Sequence, residues 1–245
     1  MDTLKFPQGT VTFQAESPDA APEDVVFAVA GGRKPAREWM KQVLKSLPHN
    51  TTVVAADRGL DYLADAGTIP SLVVGDGDSA EKESWEAARK AGLTKDYPRD
   101  KDYTDLQLLL EQMDDGRFWL FSGVFGGRFD HLFSAFQSIG AQALHQKQAM
   151  VLADEREICV FVPSGMTVSF YPPEGESPVA VSLLPFTDES MVSLEGVKWP
   201  LDRKILFRDI PCSVSNVMSE AELEKEMPRV RLACHTGMTV FYIAG

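Results

Sequence analysis

From Val25 to about Ala153 the chain alternates short apolar runs with stretches of helical periodicity. Val25 to Ala30, Thr52 to Ala56, Leu72 to Val74, Arg117 to Ser122 and Ala149 to Ala153 are short, nearly unbroken apolar runs, and they read as strands buried on both faces. Between them Trp39, Met40, Val43, Leu44 and Leu47 recur at helical spacing, behind Pro35, a residue suited to a first helical turn. Leu106, Leu109, Leu110 and Met113 repeat the i, i+3, i+4, i+7 pattern, as do Phe129, Leu132, Phe133 and Phe136. Strands alternating with helices predict an α/β domain: a doubly wound, mostly parallel sheet covered on both faces. Beyond Glu157 the pattern changes to EICVFVP, MTVSFY, PVAVSLLPF, MVSLEG, KILF, VRLACH and GMTVFYIAG, short β-rich runs punctuated by Pro and Gly. They predict an all-β sandwich or open barrel. Only Glu220 to Glu226 suggests a turn of helix there. The switch near residues 154–158 separates an α/β domain over 25–156 from a β-sandwich domain over 157–245. Residues 1–24, polar and carrying Pro18 and Pro22, read as a leader, either disordered or adding an edge strand through Thr10 to Gln14.

Composition adjusts this picture only slightly. At 245 residues, with 44% hydrophobic and 24% charged positions, the chain can bury two modest cores. A net charge of −12 argues against a surface that coats nucleic acid and is compatible with divalent cations. Cys159, Cys212 and Cys234 are an odd count in apolar surroundings, so reduced core thiols are expected rather than a disulfide framework. No run approaches the ~18 apolar residues that span a bilayer. The N-terminus lacks the basic start and apolar stretch of a secretory signal, and a cytoplasmic location is expected.

The candidate chemistry sits where the apolar runs end. In an open α/β sheet, ligands bind beyond the carboxyl ends of the strands. Gly31, Gly32 and Arg33 follow the first run, Asp57 and Arg58 the second, and Asp76, Asp78 and Ser79 the third. RDKDYTD, with Lys101, Asp102, Thr104 and Asp105, leads into a helix, and GVFGGRFDH follows FWLFSG. Paired aspartates are tolerated where a divalent cation offsets their repulsion, so Asp76 and Asp78 read as Mg²⁺ ligands. A turn at Asp76 with Asp78 or Ser79 capping the next helix accounts for GDGDS equally well. Asp57, Asp102 and Asp105 at equivalent strand ends favour the metal. Thr104 or Asp102 also reads as an N-cap, with Asp105 favoured by the helix dipole. Gly126, Gly127 and Arg128 before a helix suit an anion, with Arg128 able to grip phosphate bidentately. Asp130 and Ser134 share one face of that helix, and His131 reads as a phosphate contact or a capping residue.

AADRGLDYL, LVVGDGDS, KDYTDLQLL and GGRFDHLFSAF, in this order and spacing, resemble the thiamine pyrophosphokinase family. That resemblance implies transfer of diphosphate from ATP to the thiamine hydroxyl, giving thiamine diphosphate and AMP. It implies Mg²⁺ on Asp76, Asp78 and Asp102, catalytic roles for those three with Asp105 and Arg128, and ATP contacts from Asp57, Lys101, Thr104, Gly127, Asp130, His131 and Ser134. GVKWPLDRKILF followed by SVSNVM extends the likeness: Trp199 would stack on the thiamine rings, and Ser215 and Asn216 would fix the pyrimidine. It further implies a homodimer with shared active sites. Trp199 as a hairpin aromatic and Ser-Asn as a turn account for the same residues without a ligand. Two positions depart from the family pattern: Arg58 replaces a usual glycine, and Gly77 a usually bulkier residue.

Three other functions compete. A phosphatase of the haloacid dehalogenase type also uses Asp-x-Asp with Mg²⁺, but near its first strand. A diphosphokinase acting on another alcohol such as a pterin, and a non-catalytic nucleotide-sensing module, share the same motifs.

Overall fold

The computed structural model describes residues 2–15, 24–112, 117–210 and 212–245. Met113, Pro18 and Pro22 lie outside the described residues. One compact unit is built from the described residues of 23–142 with 152–154, the other from those of 1–22, 143–151 and 155–245. The second unit therefore includes the strands of the expected leader.

Those strands are β1 (Thr3–Phe6) and β2 (Gly9–Ala15), an antiparallel hairpin. The α/β part follows as β3 (Val25–Val29), α1 (Arg37–Ser46), β4 (Thr52–Ala56), α2 (Gly59–Asp65), β5 (Leu72–Gly75), α3 (Lys82–Lys90), β6 (Thr94–Asp96), α4 (Asp105–Gln112), β7 (Phe118–Ser122) and α5 (Phe129–Gln146). Its strands run parallel in the order β7-β3-β4-β5-β6. All five residues of β3 and of β7 are buried, which explains their unbroken apolar runs. The chain steps outward from β3 to β6, then returns to lay β7 on the other side of β3. That reversal opens a crevice beyond the carboxyl ends of these strands. On α1, Trp39, Met40 and Val43 are buried as predicted, while Pro35 stands ahead of the N-cap residue Ala36 and outside the first turn.

The apolar stripe at the start of α5 is a correction. Phe129 is 76% and Phe133 54% exposed, and their rings rest on one another with centroids 5.9 Å apart. The helix buries Ile139 and Ala143 instead. Periodicity predicts the helix but not which of its turns meets a neighbour.

After β8 (Met150–Ala153) the chain continues as β9 (Glu157–Pro163), β10 (Met166–Tyr171), β11 (Ala180–Pro185), β12 (Glu189–Glu195), β13 (Leu201–Phe207), α6 (Glu220–Leu223), β14 (Val230–Thr236) and β15 (Met238–Ala244). An antiparallel sheet ordered β1-β2-β10-β14-β12-β13 faces the antiparallel run β11-β15-β9, forming a sandwich. Phe161 and Phe186 meet edge to face at 5.5 Å. Thr10 to Gln14 do not form an edge: β2 is bonded to β1 on one side and β10 on the other. The alternation that buries Val11 and Phe13 while leaving Thr10 and Thr12 half-buried suits such a strand. Cys159 and Cys234 are buried and outside any disulfide, and burial pushes the Cys234 pKa up to about 11. Cys212 is also outside any disulfide but exposed, so it is not the core thiol expected of it. Among the described residues no helix is long and apolar enough to cross a membrane.

Candidate active site

Strand register builds the acidic centre. Ala56 of β4 pairs beside Val74 of β5, and the Asp57 N–H continues the ladder by donating to the Val74 carbonyl at 2.9 Å. Asp57 therefore leaves its strand next to Gly75 and Asp76, about one strand spacing (roughly 4.8 Å) away. Carboxylate oxygens of Asp57, Asp76 and Asp78 all lie within 4.8 Å of one another. The trio contains Asp57 where the sequence suggested Asp102, which is exposed and outside the group. Asp102 sits on a connection with no strand register to aim it.

The environment of these groups is uneven. Burial pushes the Asp57 carboxyl above the ordinary carboxylate range; Ser79 partly offsets this, while Asp105, Asp76 and Asp78 add to it. One Asp57 carboxylate oxygen, Oδ1, is buried without a hydrogen-bond partner. For Asp76, burial acts upward but is outweighed by the Asp78 N–H, which donates at 3.0 Å, and by Lys101, so its pKa is lowered. The Lys101 ammonium lies 3.3 Å from Asp76 and 3.1 Å from Asp105, and these partners outweigh its own burial and raise its pKa. Burial raises Asp105 despite Lys101, with Asp76 and Asp78 contributing. Arg99, which the sequence reading passed over, stands 3.1 Å from Asp78.

The capping alternatives separate residue by residue. The N-cap position of α3 is Glu81, with no side-chain cap of its own, and its N–H is taken by Asp61 of α2 at 2.9 Å. Neither Asp78 nor Ser79 caps that helix; the Ser79 hydroxyl donates to Asp78 at 3.0 Å. Thr104, by contrast, is committed to a reciprocal capping box with Gln107: its N–H donates to Gln107 Oε1 at 2.8 Å, and its hydroxyl receives the Gln107 N–H at 3.3 Å. The T-x-x-Q spacing was a readable signal for this pair.

Gly77, one of the two departures, has a local cause. Its φ is +74°, and a Cβ there would lie 2.6 Å from the ring of buried Trp85. Trp85 thus occupies the space of a side chain between the two aspartates. Gly77→Ala is expected to destabilise the protein by about 2–4 kcal/mol, combining overpacking with a left-handed backbone. Urea unfolding measures this, and an unchanged midpoint would show that Trp85 yields.

Arg58 donates to the Ser79 carbonyl at 3.0 Å, and the close backbone approach is made by the next residue, Gly59. Across the crevice, the Gly32 N–H donates to the Gly123 carbonyl and the Arg33 N–H to that of Phe125, both at 2.6 Å. Arg33 also grips buried Asp154, through Nε at 2.8 Å and Nη2 at 2.5 Å. Beyond this clasp Gly127, Arg128, Asp130 and His131 are exposed, and Ser134 is half-buried. Arg128 reaches Asp130 at 2.5 Å, which lowers the Asp130 pKa and raises that of Arg128.

Residues 43–152, which contain the acidic trio, match the family description "Thiamin pyrophosphokinase, catalytic domain", and residues 167–225 match "Thiamin pyrophosphokinase, vitamin B1 binding domain". The chain belongs to the thiamin pyrophosphokinase family. The thiamine pyrophosphokinase of Bacillus subtilis (strain 168) is 27% identical over 179 residues, 71% of this chain and 80% of that protein. The crystal structure of a thiamine pyrophosphokinase from Bacillus subtilis covers 90% of this chain and 98% of its own at TM-score 0.69 and 23% identity. The yeast thiamin pyrophosphokinase covers 93% and 88% at TM-score 0.66 and 11% identity. At such identities the structural likeness speaks for the fold alone.

Within the stretch matching the vitamin B1 binding domain, the three residues singled out divide. Trp199 is 57% exposed, and the Lys198 ammonium lies 4.8 Å from its ring centroid, so the indole face already receives a cation. Asn216 is 2% exposed, and its amide is spent on backbone: Oδ1 accepts the N–H of Trp199 at 3.2 Å and of Val217 at 3.0 Å, and Nδ2 donates to the Trp199 carbonyl at 2.9 Å. It holds Trp199 in place rather than offering a free amide. Ser215 is exposed, at φ +58°, and its N–H donates to the Ser182 hydroxyl at 2.9 Å.

Proposed function

We propose that this member of the thiamin pyrophosphokinase family transfers diphosphate from ATP to the hydroxyl of thiamine, forming thiamine diphosphate and AMP. The observation that carries the catalytic reading is the trio Asp57, Asp76 and Asp78, gathered at the strand ends with a buried carboxylate oxygen left unpartnered. Such a donor set fits a hard cation, and these three residues would hold Mg²⁺. When bound, Mg²⁺ neutralises phosphate charge and aligns phosphate oxygens. In the reaction the thiamine oxygen bonds to the β-phosphorus and gives up its hydroxyl proton to the medium, while the bond from that phosphorus to the α–β bridging oxygen breaks and AMP carries that oxygen away.

The chain's own groups supply orientation and charge. Lys101 is clamped between Asp76 and Asp105, so a cation is fixed beside the trio instead of wandering on a flexible stem. Arg128 and Arg99 are more exposed, and their pairs with Asp130 and Asp78 cost little to exchange for phosphate. Asp130, His131 and Ser134 are the ATP contacts that the family resemblance implies; Asp130 and His131 are exposed and Ser134 half-buried, which leaves them accessible to a nucleotide, and exposed Asp102 is accessible in the same way. Asn216 acts on thiamine through Trp199, and Ser215 is the accessible polar neighbour. On the same reading the protein is a cytoplasmic homodimer, and the exposed Phe129 and Phe133 supply apolar surface that a partner would cover.

The phosphatase reading is disfavoured because Asp76 and Asp78 follow β5, while β3, the first strand of the α/β part, is followed by Ala30, Gly31 and Gly32. Incubation with ATP, Mg²⁺ and thiamine is expected to yield AMP and thiamine diphosphate in equal amounts, identified by mass. Product from a pterin alcohol but not thiamine would reassign the substrate. Phosphate release from a simple phosphomonoester, or ATP binding without AMP, would displace the proposal in favour of a phosphatase or a sensing module.

A further inference from the structure

We propose that the outward face of the six-stranded sheet carries a second small-molecule site, one that takes an oxyanion, phosphate or carboxylate, between Ser193, Arg203 and His235. A cavity of about 420 Å³ opens on this face, and every residue lining it belongs to the β-rich unit. Nothing in the proposed diphosphate transfer uses it.

The hydrogen bonds on its floor leave donors without acceptors. Arg203 Nη1 lies 3.5 Å from His235 Nδ1. A guanidinium can only donate, so Nδ1 carries the lone pair and the neutral ring holds its proton on Nε2. That Nε2–H then donates to Ser193 Oγ at 2.8 Å. The backbone N–H of Arg203 donates to the same oxygen at 3.0 Å. Both lone pairs of the Ser193 hydroxyl are thereby filled, and its own O–H remains to be given to a ligand. Arg203 forms no ion pair among the described residues, so most of its fork is also unspent. It is held in position by a backbone at φ +44° and by the His235 contact. A hydroxyl donor beside a planar cationic fork is the complement of an oxyanion.

The rest of the wall narrows the ligand class. Arg231 lies 3.4 Å from Glu195, and Asp202 adds a second carboxylate. These acids suit hydroxyl or amine donors, so the occupant is a small polar molecule with its oxyanion at Ser193 and Arg203 and donors along its length. A volume of this size exceeds an inorganic ion and accommodates a small organic phosphate or carboxylate.

The imidazole of His235 reports on the site directly. It is one of four histidines, and His235→Gln assigns its signals in long-range ¹H–¹⁵N spectra. Metal-free protein, in which the acidic trio repels anions, would be titrated with inorganic phosphate and separately with malonate. We expect the Nε2–H tautomer and a saturable shift of His235; phosphate alone would assign a phosphate site, and both ions a general oxyanion site. Arg203→Gln and Ser193→Ala should each weaken the midpoint, the former about tenfold, and Asp78→Asn should leave it unchanged. Circular dichroism checks that the variants fold, and Ser193→Ala carries the test if Arg203→Gln does not. The inference is overturned if neither ion shifts His235 saturably, if folded variants keep the wild-type midpoint, or if Asp78→Asn abolishes the shift. A shift that follows protein concentration instead of anion would overturn it too, and would place a second copy of the chain on this face.

Discussion

Asp57→Asn is expected to lower thiamine-dependent AMP release by a factor on the order of 10²–10³ while raising the melting temperature of the metal-free protein. The two effects share one cause. Asp57 is half-buried with an unpartnered oxygen, and Asp76, Asp78 and Asp105 all disfavour its charge. Without a cation that charge is a liability, and an amide of the same shape removes it. Asn also tolerates φ +48°, where Asp57 sits, so the turn into α2 survives. With Mg²⁺ the balance reverses: the wild type gains stability by binding, and the variant loses a ligand. Melting curves with and without Mg²⁺, beside an AMP assay, read both halves. Wild-type turnover in the variant would remove Asp57 from the site, and a lower metal-free melting temperature would contradict the account of its charge.

Gly59→Ala should be the more severe change in folding. An added Cβ would lie 1.9 Å from the Val29 carbonyl oxygen, a backbone atom at the carboxyl end of the buried strand β3. Relief requires α2 to lift away from the sheet, which would uncover Leu60 and Leu63 and swing Asp57 and Asp61 with them. A cost of about 3–5 kcal/mol is expected, placing this among the larger effects of a single methyl group. Urea unfolding measures it. A variant melting within about 2 °C of wild type would show that α2 is loosely held.

The glycine also corrects how the motif was read. Arg58 looked like a lost glycine beside the acidic residue, but the close approach falls at Gly59, and Arg58 lies outward on the Ser79 carbonyl. Gly77 stands where the family pattern has a bulkier residue, but Trp85, nine-tenths or more buried, fills that volume from α3. Both facts depend on which atoms lie opposite a backbone position, and one chain cannot list its own neighbours. The same limit hid Asp61 as the partner of the α3 N-terminus, because the acceptor comes from a different helix. Gln107 was legible, since its partner Thr104 is three residues away.

Local pattern was enough for the parallel strands apart from β6, for the seven β-rich runs after Glu157 and for the acidic clusters at strand ends, because side-chain periodicity and turn chemistry act over a few residues. Tertiary structure alone chose Asp57 over Asp102 for the trio, made β2 an interior strand and turned Phe129 and Phe133 of α5 outward. Each of those outcomes is set by pairing between distant segments, where register and packing place one side chain against another.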